Sequence, residues 1–325
     1  MDLSSDDTLK NEYVYRLNRT IDYIQHHYAE DLNLSKLADV ACFSRYHFHR
    51  IFRALMGETV NEFVRRVRLE KAAIKLTLDK YKSITEIAFE SGFSSSQNFA
   101  RCFKAHYGVT PSNVRTELNW ETWLQKMKNL EASEMQEHTA SESELTQHYR
   151  YRRKISIEKV FTRNTEMNVC VMELPSYRVA YVRNRGPYTV ESVRSAFGKL
   201  MQWANPRGLV NTDARVIGVA WSNPDLTPQK KLLFDACITV PDTVKADNWV
   251  NIQTLTGGKF AIHHCEIDTH HQEEEWLRLL YHWLATSDYQ PDDRPTFNIY
   301  YNDIETHPLK HAILDLCLPI KPLKS

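Results

Sequence analysis

The stretch Leu34–Val60, LSKLADVACFSRYHFHRIFRALMGETV, returns fifty residues later as Ile84–Pro111, ITEIAFESGFSSSQNFARCFKAHYGVTP. At first the offset is 50, with Leu37 on Ile87, Ala38 on Ala88 and Phe43 on Phe93. It becomes 51 inside the second helix, with Phe48 on Phe99, Phe52 on Phe103 and Gly57 on Gly108. An internal repeat constrains a chain strongly, because both copies must solve one packing problem with the same spacing. Each copy reads as a short helix with a small residue at its centre and then a turn at Cys42 or Gly92. Ser44 or Ser94 follows as a cap, and a second amphipathic helix completes the copy. That is a helix-turn-helix, made twice. Between the copies, Val60–Asp79 places Phe63, Val67, Ala73, Ile74 and Leu78 at helical intervals and predicts one long bridging helix. Upstream, LNRTIDYIQHHY adds a packing helix with Leu17, Ile21 and Ile24 on one stripe.

The outer face of each second helix is unusual. In the second copy Ser95, Ser96, Gln97, Asn98, Arg101 and Lys104 stand where a merely solvated helix carries Glu and Lys, and the first copy has nearly the same outline. Lysines and arginines sum to 41 and so do the acidic residues, giving no net charge over 325 residues. The distribution is uneven, with 17 basic against 11 acidic residues from Thr8 to Thr116. From Glu117 to Tyr149 seven Glu face two Lys. A basic module followed by an acidic tether is compatible with DNA binding.

The double unit, with RVRLEKA after its first half and IAFESGFSSSQNFARCFKAHYGVTPSNVR closing its second, resembles the DNA-binding domain of the AraC/XylS regulators. The resemblance implies that each second helix enters the major groove, on one face of the DNA and about one turn apart. It places Tyr46, His49 and Arg50 against bases in the first unit, and Ser96, Gln97, Asn98 and Arg101 in the second. Arg45 and Lys104 suit phosphates, and Ser95 joins the candidate DNA contacts at the helix start. The residue types fit that role: Gln and Asn pair with adenine, Arg with guanine, and a Tyr ring with a thymine methyl.

A second repeat covers the C-terminal half. IGVAWSNPDLTPQKKLLFDACITV aligns with FNIYYNDIETHPLKHAILDLCLPI at an offset of 80, so that Trp221 matches Tyr301, Asp235 matches Asp315 and Cys237 matches Cys317. VCVMELPSYRVAYV aligns likewise with VNIQTLTGGKFAIH. Each unit reads as a strand, a tight turn, a strand, an amphipathic helix and two more strands, giving an α+β domain with helices on one side of the sheet. RVAYVRNRGPY, KLLFDACITVP and FNIYYND make this duplicated half resemble the GyrI-like, small-molecule-binding domain. An AraC-type domain followed by a GyrI-like one is the layout of the Rob-type regulators. The expected boundaries are 8–118 for the helical domain, 119–165 for a polar acidic linker and 166–325 for the effector domain.

A cleft is expected where the two similar units meet. Its candidate lining is Tyr188, Trp221, Phe297, Asn298, Tyr300, Tyr301 and Asp315. The resemblance implies an aromatic or cationic small-molecule effector, because members that take up organic cations use an aromatic cavity with a buried carboxylate. This chain departs from that pattern at FNIY, where Asn298 stands in place of a frequent Glu. A neutral ligand therefore stays open.

The six cysteines form no CxxC pair and read as reduced thiols of a cytoplasmic protein. No apolar run approaches the roughly 20 residues of a membrane span. His263, His264, Cys265, Asp268, His270 and His271 match no zinc spacing, and adjacent histidines on a strand point to opposite faces. Neither a metal, a cofactor nor a catalytic site is expected. The expected function is a transcriptional activator that binds double-stranded DNA and senses a small molecule or a protein partner, with RNA polymerase a candidate partner. The alternative is a DNA-tethered protein whose second domain is a hydrolase or an interaction module.

Overall fold

The helical half follows from its caps and small residues. A computed structural model describes residues 5–79, 81–116, 167–224, 226–247, 249–268 and 271–323. The expected linker 119–165 and His270 lie outside these residues. Seven helices come first: α1 (Ser5–His27), α2 (Leu34–Val40), α3 (Arg45–Met56), α4 (Val60–Leu78), α5 (Ile84–Glu90), α6 (Ser96–Tyr107) and α7 (Pro111–Thr116). Capping boxes open α4 (Thr59 with Glu62) and α5 (Ser83 with Glu86), each satisfying two otherwise unpaired backbone N–H groups. Gly57 and Gly108 end α3 and α6 with φ of 71° and 72°, in the left-handed region that glycine adopts without a steric penalty. Ala38 and Ala88 are buried, Ala38 in α2 where it packs on α1 and α3, and Ala88 in α5 where it packs on α4 and α6.

The turns before α3 and α6 are equivalent in conformation but not in sequence. Cys42 and Gly92 both have positive φ, 54° and 80°. At Gly92 any Cβ would lie 2.8 Å from the Arg68 Nε and 2.9 Å from the Tyr28 carbonyl oxygen, so only glycine fits. The second cap differs from expectation. Ser44 accepts from the His47 N–H, but in the second pair Ser95, not Ser94, accepts from the Asn98 N–H. The one extra residue that changes the repeat offset to 51 falls in this turn and moves the cap along by one.

The C-terminal half is α+β with an antiparallel sheet. Its strands are β1 (Val169–Leu174), β2 (Tyr177–Arg185), β3 (Val216–Ala220), β4 (Leu233–Thr239), β5 (Asn251–Leu255), β6 (Gly258–Asp268), β7 (Tyr289–Pro291), β8 (Thr296–Tyr300) and β9 (His311–Pro322). Their order is β1-β6-β9-β8-β3-β4-β2-β5, with β7 on β9. Helix α8 (Val190–Ala204) follows β2. Helix α9 (Gln272–Arg278) runs on through a π-helical stretch, Leu279–Trp283, to Leu284–Thr286. The tight turns do not close hairpins: β1 pairs with β6, and β5 pairs with β2. The two turns cross instead, with the Gly257 N–H donating to the Ser176 hydroxyl at 3.0 Å. A Cβ on Gly257 would lie within 2.5 Å of Leu174, Pro175 and Ser176 backbone atoms, so the crossing requires glycine.

Strand alternation gives the sheet two apolar faces. Ala180, Phe234, Ala236 and Ile238 pack under α8, and Leu314, Leu316 and Leu318 pack under α9. The opposite face, with Val179, Tyr181, Ile217, Val219 and Cys237, shares one buried cluster with Leu17, Ile21 and Ile24 of α1. The helical half thus covers the face that α8 and α9 leave open. Leu69, Ala72, Leu76, Phe99, Phe103 and Tyr107 form a second helical cluster, and Leu226 from the loop between β3 and β4 is buried within it.

Candidate DNA interface and effector cavity

Caps and core phenylalanines fix which faces α3 and α6 present. Phe48 and Phe52 anchor α3, and Phe99 and Phe103 anchor α6, all four with no exposed surface. Arg45, Tyr46 and Arg50 are consequently exposed and His49 is half-buried. Tyr46 keeps 73% of its surface in water, with the Arg50 guanidinium 5.6 Å from its ring centroid. On α6, Gln97, Arg101 and Lys104 are exposed, and Ser95, Ser96 and Asn98 are half-buried. Ser95 serves as the N-cap of α6, which commits its hydroxyl oxygen to the Asn98 N–H. Arg101 donates to the Asn98 Oδ1 at 3.1 Å, so these two side chains form one polar unit.

The cavity is a partly open cleft of about 2040 Å³ along the seam between β3 and β8. Alternate residues face it, Val216, Gly218 and Ala220 from β3 and Thr296, Asn298 and Tyr300 from β8. A Cβ on Gly218 would meet the rings of Phe234 and Tyr300 at 3.0 and 3.1 Å, so the missing side chain lets those rings converge. Trp276 donates to the Asn298 Oδ1 at 3.2 Å, and the Asn298 amide donates to the Tyr300 hydroxyl at 3.3 Å. Burial pushes the Tyr300 phenol above its ordinary range. The Tyr188 hydroxyl donates to the Leu233 carbonyl at 2.5 Å.

Six of the seven sequence-predicted lining residues border this cavity: Tyr188, Trp221, Phe297, Asn298, Tyr300 and Tyr301. The Phe297 ring is turned to Phe260 and Tyr177. Asp315 is not among the lining residues. It accepts from the Tyr301 hydroxyl at 2.5 Å and lies 2.7 Å from the His264 Nδ1. Neighbouring Leu314 and Leu316 pack under α9, and alternation turns Asp315 to the opposite face. His263 is buried and His264 exposed, on opposite sides of β6.

Sequence reasoning missed the junction between the halves. Arg183, whose side chain has no exposed surface, bonds Asp235 through two N–H groups at 2.7 and 2.6 Å and Asp22 of α1 at 2.8 Å. Burial opposes its charge, but the two carboxylates outweigh it and hold the guanidinium firmly protonated. Tyr181 donates to Asp22 at 2.6 Å and Trp221 to Asp235 at 2.6 Å. Further contacts join Asn18 to Asn251 and Arg185, Glu58 to Lys231, and Lys75 to Asp293. The signal was the run VRNR in β2, two arginines on one face of a strand otherwise built for burial.

Residues 37–117 match the helix-turn-helix domain family, and residues 167–321 match the GyrI-like small molecule binding domain family. The transposon Tn10 TetD protein of Escherichia coli is 39% identical over 99 residues, 30% of this chain and 71% of that protein. The chain belongs to the AraC-type helix-turn-helix proteins and carries a GyrI-like domain. An uncharacterised HTH-type transcriptional regulator of Staphylococcus aureus is 37% identical over 100 residues, 31% of this chain but only 13% of that protein. A solved AraC-type regulator from Chromobacterium violaceum aligns at 25% identity with a TM-score of 0.31, over 32% of this chain and 93% of the other. For an AraC-type chain the exposed faces of α3 and α6 are the surfaces to test on DNA. Arg101→Ala is expected to weaken specific binding by about 1–3 kcal/mol and to relax one base position. Titration against a set of single-base operator variants measures both effects, and unchanged selectivity would remove Arg101 from the base contacts.

Proposed function

We propose that this chain is a sequence-specific transcriptional activator of the cytoplasm, with α2–α3 and α5–α6 as two helix-turn-helix units. On this reading α3 and α6 enter successive major grooves. Arg45, Tyr46, His49 and Arg50 act from α3, and Ser96, Gln97, Asn98, Arg101 and Lys104 act from α6, with Ser95 holding the helix start. The observation that carries this reading is the matched pair of anchored helices with exposed amide, aromatic and basic outer faces. The C-terminal half is read as a duplicated GyrI-like unit. The sheet order supports this, since strands related by the offset of about 80 sit at mirrored places, β1 with β5, β6 with β2, β9 with β4 and β8 with β3. Its cavity is read as an effector site, and RNA polymerase as the partner through which activation proceeds.

The test is a genomic binding map of the full chain followed by footprinting of the sites found. Protection is expected over two major-groove segments about 10 base pairs apart. Affinity should fall roughly 10³-fold between about 50 and 200 mM salt, as expected when at least six phosphates are neutralised. A single protected segment would contradict the two-unit reading. Protection indifferent to salt would contradict the phosphate contacts.

A further inference from the structure

The cavity wall does not belong to the effector domain alone. At the Ala220–Thr296 end of the seam it is completed by Val67, Glu70, Lys71 and Ile74 of α4 and by Gln25 of α1. Helix α4 joins the two helix pairs, and its Leu69, Ala72, Ala73 and Leu76 lie in the core of the second pair. Whatever touches Ile74 therefore touches the element that sets α3 and α6 relative to each other. The effector domain also grips this region from its own side. Trp221 and Pro224 line the cavity while Leu226, in the same loop, is buried against the second helical cluster.

The chemistry of the wall selects a class of ligand. Phe197, Phe234, Trp276 and Tyr300 supply rings, and an amide, Asn298, stands among them. The carboxylates at the α4 end are already engaged, Glu70 by Arg66 at 2.8 Å and Asp292 by Arg294 at 2.9 Å. Glu273 and Glu274 also have partners. Burying an organic cation here would cost desolvation with no free buried anion, among the described lining residues, to offset it. An uncharged ring system loses little on entering and gains from the ring-lined wall. The lining runs the whole length of the seam, from Ala214 and Val216 at one end to Ala220 and Ile74 at the other, which favours a long molecule over a compact one.

We propose that this cavity is an interdomain effector site for an elongated, uncharged aromatic molecule, with Ile74 of α4 as part of its wall. The proposal rests on the effector-binding reading above. A ligand shifts DNA binding to the extent that it prefers one placement of α4 over another. Contact at Ile74 supplies that preference directly, through packed side chains.

Fluorescence titration of the full chain with two probes of equal length tests this, trans-4-hydroxystilbene as the neutral one and 1-methyl-4-styrylpyridinium as the cation. The neutral probe is expected to bind about 10-fold more tightly or better. Ile74→Ala is expected to weaken it by about 10-fold through lost contacts, and Ile74→Trp to weaken it by filling the site. Thermal melting of both variants identifies any loss of fold, and Phe197→Ala reports on the far end of the cavity. Tighter binding of the cation overturns the ligand class. Neutral-probe binding that is weakened by Phe197→Ala but unchanged in both folded Ile74 variants overturns the interdomain site while sparing the effector reading. If neither probe binds saturably, the effector reading fails and the proposal with it.

Discussion

Arg183→Met is expected to lower the stability of the full chain by about 3–5 kcal/mol, the usual cost of removing one partner from a buried ion pair. The substitution conserves much of the side-chain volume, so the loss is electrostatic. Among the described residues, Asp235 would keep only the Trp221 and Gln253 N–H donors, and Asp22 only the Tyr181 hydroxyl. Two carboxylates would then share a space with no cation between them. Urea unfolding followed by tryptophan fluorescence measures the effect, since the Trp221 ring lies 5.9 Å from the guanidinium carbon. A loss below about 1 kcal/mol would mean that the pair is solvated like a surface bridge. Because Asp22 belongs to α1 and Asp235 to β4, the same variant should loosen the halves from each other. Hydrogen exchange should then rise in α1 and β2 together.

The second large effect is expected at Leu226. It is only 2% exposed and contributes from the C-terminal half to a cluster otherwise made of residues of the helical half. Leu226→Ala should cost about 2–5 kcal/mol, as other buried leucine truncations do. Its signature would be regional. The Phe99, Phe103 and Tyr107 side chains that position α6 belong to that cluster, so footprint protection should weaken at the α6 segment before the α3 segment. Equal loss at both segments would falsify a local role for the loop and point to general destabilisation.

Most of the helical half was legible because its signals are local. Phe48 and Phe52 repeat as Phe99 and Phe103, and glycines stand where α3 and α6 must end. Even the change of offset from 50 to 51 was visible. What it did structurally, moving the cap from Ser94 to Ser95, depends on turn geometry that spacing does not report. In the C-terminal half the strands were readable and their partners were not. A tight turn between two apolar runs suggests a hairpin, yet β1 and β2 pair elsewhere, because pairing is decided by contacts far apart in sequence. Asp315 shows the same limit at one residue. Its kinship with Asp235 was clear, but the face it occupies depends on the phase of β9 against α9. Nothing in α4 marked Ile74 as a cavity residue, since the packing pattern of a helix is the same whether its neighbour is protein or a cavity.

The shared cluster formed by Leu17, Ile21 and Ile24 with Val179, Tyr181 and Ile217 changes what the connecting segment has to do. Halves that met only through a connector would have to pass any signal along it. Here the halves meet directly, so on the effector-site proposal a signal passes by contact, and the covalent link contributes a concentration. It keeps two complementary surfaces at a high effective molarity, so that a junction built partly of costly buried charge stays closed in a single molecule. Residues 119–165 would then set that concentration, while the residues at the seam would set the strength of the contact itself.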